Sequence, residues 1–201
     1  MIEINNSLNA ESLRRLAALR GATLQRLFGV NLDVHLMSED VSVETDSGTI
    51  TVWGDVDSLG DWERFEGQYA VLHVDDGVPS LYGDHGKRVD SSRAGFYFHS
   101  GDRIDDVSIV RECVRKVVTG EPEWEYTTDT AIVFELSNGA FAISKTALDG
   151  EMLRVAFAES FDQPDIPASG AFWFHWNQLG TEFLRSSETL SLDDLIDDQG
   201  M

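Results

Sequence analysis

Histidine and carboxylate gather along one stretch of this chain. His73, Asp75 and Asp76 lie on or just after an alternating segment, Asp84-His85 follows, and His99 and Asp102 come soon after. On an extended strand His73 and Asp75 project to one face. Imidazole with carboxylate suits a hydrolytic metal such as zinc or manganese. Asp75-Asp76-Gly77 also reads as an ordinary turn in an acid-rich chain.

A second constellation has sharper spacing. Residues Asp55 to Glu66 place Asp55 and Asp57 at positions one and three of a twelve-residue loop. Gly60 falls at position six, Asp61 at seven, an apolar residue at eight and Glu66 at twelve. Much of a calcium-binding loop is present, in which acids wrap a hard cation around a glycine turn. Asp55, Asp57, Asp61 and Glu66 are therefore the metal candidates, and calcium the candidate ion. Leu59 stands where an oxygen ligand belongs, and Ile50 to Trp53 reads as strand where the calcium motif has a helix.

Other reactive types are isolated. Cys113 is the only cysteine, so there is no internal disulfide and no cysteine metal site. Arg111, Arg115 and Lys116 nearby could lower its pKa, whereas a valine-rich setting makes it a small buried apolar residue. Phe172, Trp173, Phe174 and Trp176 form an aromatic strand, suited to a binding platform or to the core. Phosphate-cradling glycine loops, nucleophile elbows and zinc-protease helix motifs are all absent.

Charge dominates what remains. The chain has 36 Asp and Glu against 15 Lys and Arg in 201 residues, a net charge of −21. That exceeds what solubility asks of a small domain. The basic residues lean toward the N-terminus, where Arg14, Arg15, Arg20 and Arg26 outnumber Glu3 and Glu11. Binding to a nucleic acid backbone is disfavoured, because phosphate affinity comes from Lys and Arg. An acidic surface fits a basic protein partner, through complementary fields that speed encounter. It fits equally a salt-adapted surface with no such partner.

The elements that must position these residues are mostly strands. Asn9 caps a predicted helix running to about Phe28, with Gly21 placed to kink or split it. Val30 to Leu36, Val41 to Thr45, Thr49 to Trp53, Gln68 to Asp75 and Gly95 to His99 read as strands. Asp46-Ser47-Gly48 reads as a three-residue hairpin loop. Asp105 to Val118 carries a helical valine stripe stopped by Gly120 and Pro122, and is predicted as helix. Asn138-Gly139 between Thr130–Leu136 and Ala140–Ser144 is the strongest hairpin signal. Met152 to Ala158 and Ala171 to Trp176 add strands, and Ser191 caps a short acidic helix ending near Asp198.

These readings predict one α+β domain over residues 1–201, mainly antiparallel sheet with an N-terminal helix and one or two more. The acidic segment over 187–201 is expected to be mobile. With 42% hydrophobic residues the chain can build a real core. No apolar stretch reaches the length of a membrane helix, and no signal segment opens the chain, so a cytoplasmic protein is expected. The leading expectation is a non-catalytic acidic binding protein that neutralises a basic partner. An immunity protein against a nuclease-type toxin, or a nucleic-acid-mimicking inhibitor, exemplifies that class. Asp193, Asp194, Asp197 and Asp198 form the most concentrated candidate contact patch. The alternatives are a metal-dependent hydrolase built on the His73 to Asp102 cluster and a salt-adapted domain.

Overall fold

The computed structural model describes residues 1–30, 32–58, 68–78, 93–98, 101–146, 152–159 and 181–198. Their order is β1 (Ile2–Asn6), α1 (Ala10–Ala17), β2 (Leu24–Val30), α2 (Leu32–His35), β3 (Met37–Ser38), β4 (Asp40–Thr45), β5 (Gly48–Ser58) and β6 (Gln68–Asp76). There follow β7 (Arg93–Tyr97), β8 (Ile104–Val118), β9 (Glu121–Leu136), β10 (Gly139–Lys145), β11 (Leu153–Glu159), β12 (Thr181–Ser191) and α3 (Leu192–Asp198). The architecture is α+β, mostly antiparallel strands joined by hairpins, with a short N-terminal helix.

Two sheets share one core. One runs β12-β8-β9-β10-β11-β3 with β1 attached to β9, and the other runs β6-β5-β4-β2-β7. Val41, Val43, Ile50, Val52, Leu72 and Val74 of the smaller sheet belong to the same buried cluster as Ile109, Ile132, Phe134, Phe141 and Val155 of the larger. Leu13 and Leu16 of α1 and Leu192 and Leu195 of α3 complete it. Alternating apolar residues on β4, β5 and β6 point inward, which leaves Asp40, Trp53, His73 and Asp75 on the other face.

The strand β9 is the spine. Its whole length pairs with β8, and its other edge is shared. Trp124 to Thr128 pair in parallel with β1, and Ala131 to Leu136 pair antiparallel with β10. Asp129 and Thr130 fall between the two partners. On the antiparallel stretch Phe134 and Phe141 are directly opposite, their rings stacked at 4.5 Å.

Three expectations are corrected. The N-terminal helix ends at Ala17 rather than near Phe28. Gly21 adopts φ +82° and gives its N–H to the Ile104 carbonyl at 2.8 Å, which turns the chain into β2. Leu24, Leu27 and Phe28 are buried from a strand. Val30 to Leu36 is not a strand: Leu32–His35 is a helical turn closed by Leu36 at φ +54°. Asp105 to Val118 is the strand β8, not a helix. Its register against β9 shifts at Ile104/Asp106, with the extra residue on β8, and at Val110/Arg111 and Lys116/Val117, with the extra residue on β9. The buried set Ile104, Val107, Ile109, Val110 and Val114 mimics helical spacing because Val107 and Ile109 pack in the central cluster and Val110 in a second one with Ala131, Val133 and Ala142.

Turn chemistry explains the hairpins. Thr119 (φ +53°) and Gly120 (φ +85°) join β8 to β9 in a two-residue loop with positive φ at both positions, as a primed turn requires. Pro122 sits at the start of β9 beside a register shift, where its missing N–H is tolerated. The other two hairpins form as predicted, with a shift. Thr45 pairs with Gly48, and Leu136 pairs with Gly139, so each loop has two residues and the glycine opens the returning strand. The segment over 187–201 is drawn into the fold through residue 198. β12 pairs along β8, and Ser191 Oγ caps α3 by accepting the Asp194 N–H at 3.2 Å.

Two substitutions test these turns. Gly139 sits at φ +142°, so Gly139→Val should destabilise by about 1–3 kcal/mol in urea unfolding. Thr119 is a β-branched residue held left-handed, so Thr119→Gly should stabilise by about 1 kcal/mol. An unchanged unfolding midpoint for either variant contradicts the assigned turn.

Candidate functional site

The register of β4, β5 and β6 brings Asp40, Trp53 and His73 into one cross-strand row, with Thr51 and Asp75 beside it. Directly opposite residues on adjacent strands touch. The Trp53 ring stacks on His73 at 4.3 Å and 21°, and its Nε1–H donates to Asp75 Oδ2 at 2.8 Å. Beneath, the Ser42 hydroxyl lies 2.7 Å from Thr51 Oγ1, and Thr51 donates to the Gly77 carbonyl at 2.7 Å. These bonds fix the floor of a cleft of about 400 Å³, walled by Glu39, Asp40, Trp53, Asp55, Asp75 and Asp76.

Two arginines hold part of this acidity in place. Arg15, from α1, donates from Nε to Asp76 Oδ2 at 2.9 Å and from Nη1 to the Val74 carbonyl at 2.7 Å. Arg93, from β7, bonds both Asp40 oxygens, at 2.6 and 3.1 Å, and Ser42 Oγ at 3.1 Å. Among the described residues, five carboxylates and two guanidiniums gather at the cleft. Glu39 and Asp55 stand exposed on its rim. An acid-walled concavity with an indole in it suits a cationic group, which gains both Coulomb attraction and contact with the ring.

The predicted site residues are distributed as follows. Asp55 and Asp57 lie in the β5 ladder opposite Val71 and Ala70's neighbour Tyr69, in extended conformation, and Asp55 walls the cleft. Asp61 and Glu66 lie outside the described residues. His73 and Asp75 share Trp53, while Asp76 binds Arg15. Asp84, His85 and His99 are outside the described residues, as are Phe172, Trp173, Phe174 and Trp176. Asp102 accepts from Asn138 Nδ2 at 2.9 Å, at the far end of the β9–β10 hairpin. Among the described residues no three His, Cys, Asp or Glu side chains converge in a way that could hold a metal ion. Asp193 binds Arg20 at 2.6 Å and Asp194 binds Ser191 at 2.7 Å, so half of the tail patch is engaged internally. Asp197 is exposed on α3, and Asp198 ends that helix.

The idea of an activated Cys113 is corrected. Burial raises its pKa, and Glu125 adds to the effect. The cations around it are taken: Arg111 by Asp129, Arg115 by Glu125, Lys116 by Glu123.

A buried charge cluster was not foreseen. Glu112 on β8, Asp129 on β9 and Lys145 on β10 are each 3% exposed or less. Asp129 accepts Arg111 Nε at 2.8 Å and Nη2 at 3.2 Å, and its second oxygen takes the Leu8 N–H at 2.7 Å. Lys145 Nζ donates to Thr128 Oγ1 at 2.7 Å. Burial lowers the Lys145 pKa from its usual value to about 7, against the opposing pull of Asp129 and Glu112. Burial likewise raises Tyr126 and lowers Arg185. Lys145 is the one charge in β10, whereas Glu112 and Asp129 stand among other charged residues of β8 and β9, so nothing in the sequence sets the cluster apart.

Comparison with protein-family models, with curated proteins and with solved structures returns no match.

Removing one partner of a buried ion pair strands the other charge. Arg111→Met should destabilise the protein by about 3 kcal/mol, the low end of that range, because Arg111 keeps some exposure. The double variant Arg111→Met, Asp129→Asn should lose less than the sum of the single variants. Additive losses in urea unfolding contradict the pairing.

Proposed function

We propose that this chain is a non-catalytic binding protein that captures and neutralises a basic protein partner. An immunity protein of a toxin system, or an inhibitor that imitates the charge of nucleic acid, is the type of protein meant. The observation that carries the reading is the cleft on the outer face of the five-stranded sheet, with its five carboxylates around Trp53. It offers a lysine or arginine side chain of the partner a seat of matching charge and an aromatic wall. A cytoplasmic setting belongs to the same proposal; among the described residues no helix is long and apolar enough to cross a membrane.

Charge at an exposed site acts mainly on encounter. Each carboxylate there is worth little by itself, since exposed pairs contribute roughly 0–1 kcal/mol. The field of the whole surface, at −21, does the steering. The hydrolase alternative has weaker support: of its described members, His73 and Asp75 are engaged by Trp53, Asp76 by Arg15 and Asp102 by Asn138.

The test is binding kinetics against the partner recovered by low-salt affinity capture from the native host. Association should slow as salt rises, since exposed charges are screened beyond about 8 Å at physiological ionic strength. The variant Glu39→Gln, Asp55→Asn should associate more slowly and show a shallower salt dependence. Trp53→Ala should weaken affinity by about 0.5–1 kcal/mol, through faster dissociation. An acidic partner, or an association rate indifferent to salt in all three proteins, overturns the reading in favour of a salt-adapted surface.

A further inference from the structure

Lys145 is the most deeply enclosed cation among the described residues, 3% exposed at the last position of β10. It stands where two strands meet on one edge of β9. Its donor bond goes to Thr128, and Thr128 is the residue paired with Asn6 at the end of β1. The next residue, Asp129, receives the Leu8 N–H that follows β1. Asn6 Nδ2 also reaches the Tyr126 hydroxyl, at 3.4 Å. The attachments of β1 thus converge on the residues that surround the Lys145 ammonium.

The strand itself is poorly buried. Ile2 is 44% exposed, Glu3 and Asn5 are exposed, and only Ile4 and Asn6 are partly covered. Beyond Asn6, Leu8 is buried in the core and anchors the chain into α1. A five-residue strand paired on one edge and anchored at one end costs little to release.

We propose that Lys145 is a proton-operated latch for strand β1: a proton taken up on its amine favours release of Ile2–Asn6 from the edge of β9, and loss of that proton favours docking. The charges acting on Lys145 are Asp129 on β9 and Glu112 on β8. Arg111 on β8 faces Asp129, Arg185 on β12 is drawn to Glu112, and the Tyr126 hydroxyl borders both carboxylates. With Arg111 and Arg185 already balancing the two acids, a third cation in this dry site is in excess. Releasing β1 lets water reach the ammonium, and water is what a charged lysine lacks here.

The direction follows from proton linkage. Lysine in water keeps its proton up to its usual pKa of 10.5, whereas in the closed site it loses it at about 7. Between those values the open form binds a proton that the closed form does not. Opening is therefore disfavoured by up to ~10-fold for each pH unit of increase. Below about 7 both forms are charged and the dependence levels off.

Amide hydrogen exchange of the full chain, corrected for intrinsic base catalysis, reads this directly. Protection over residues 2–6 should rise by up to ~10-fold per pH unit above about 7. In Lys145→Met, which keeps the length and removes the proton, protection there should not vary with pH. Equal pH courses in parent and variant overturn the proposal, as does a rise confined to Thr146 and the chain after it. If the variant does not fold, the parent alone decides. A rise at residues 2–6 that residues 130–136 do not share supports the latch, and a common rise or none overturns it.

Discussion

The rest of the structure depends on how Asp129 is satisfied. It is a carboxylate at 1% exposure in the middle of the longest strand, at the gap where β1 ends and β10 has not begun. A buried charge persists only where it is paired and hydrogen-bonded. Arg111, opposite it beside the β9 bulge at Thr130, supplies the pairing, and the Leu8 N–H supplies the second bond. Those contacts pin the register of the β8–β9 hairpin to the path of the chain between β1 and α1. The helix then packs Leu13 and Leu16 against both sheets, so one polar contact joins the N-terminus, the spine and the core.

The scarce cations are mostly used this way. Arg20 ties α3 through Asp193 and also reaches Asp106; Arg93 ties β7 to Asp40; Arg15 ties α1 to β6; Arg115 and Lys116 lace β8 to β9. Basic residues serve as internal stitches, while many acids face outward. The composition thus becomes an anionic surface field rather than a balanced one. The Trp53 cleft is where that field meets a concave, partly apolar surface. Steering needs only net charge, but recognition needs such a seat.

Hairpins were legible because glycine placement and alternation are local. β4–β5 and β9–β10 could be read from Asp46 to Gly48 and from Asn138-Gly139, though each loop is one residue shorter than expected because the glycine opens the returning strand. β8 was not legible as a strand, because apolar residues buried in two separate clusters, Val107 and Ile109 in one and Val110 in the other, gave it a helical period. β2 was misread because Leu24, Leu27 and Phe28 satisfy either period, and only the positive φ of Gly21 decides. β1 gave no signal, being short and exposed. The cleft was half legible. His73, Asp75 and Asp55 drew attention as metal ligands, yet their proximity to Trp53 and Asp40 comes from strand register, which the sequence does not display. Lys145, Glu112 and Asp129 become neighbours only across three strands.

The central claim is that the acidity of this protein serves to seat a cationic group beside Trp53. The most direct measurement is an amide and indole chemical-shift map during titration with a short lysine-rich peptide, at low and at physiological salt. The account predicts shifts concentrated on the Trp53 indole N–H and the backbone of Thr51, Gly54 and Gly77, saturable and weakened by salt. Shifts scattered over the whole acidic surface, with the Trp53 indole unmoved, would contradict it.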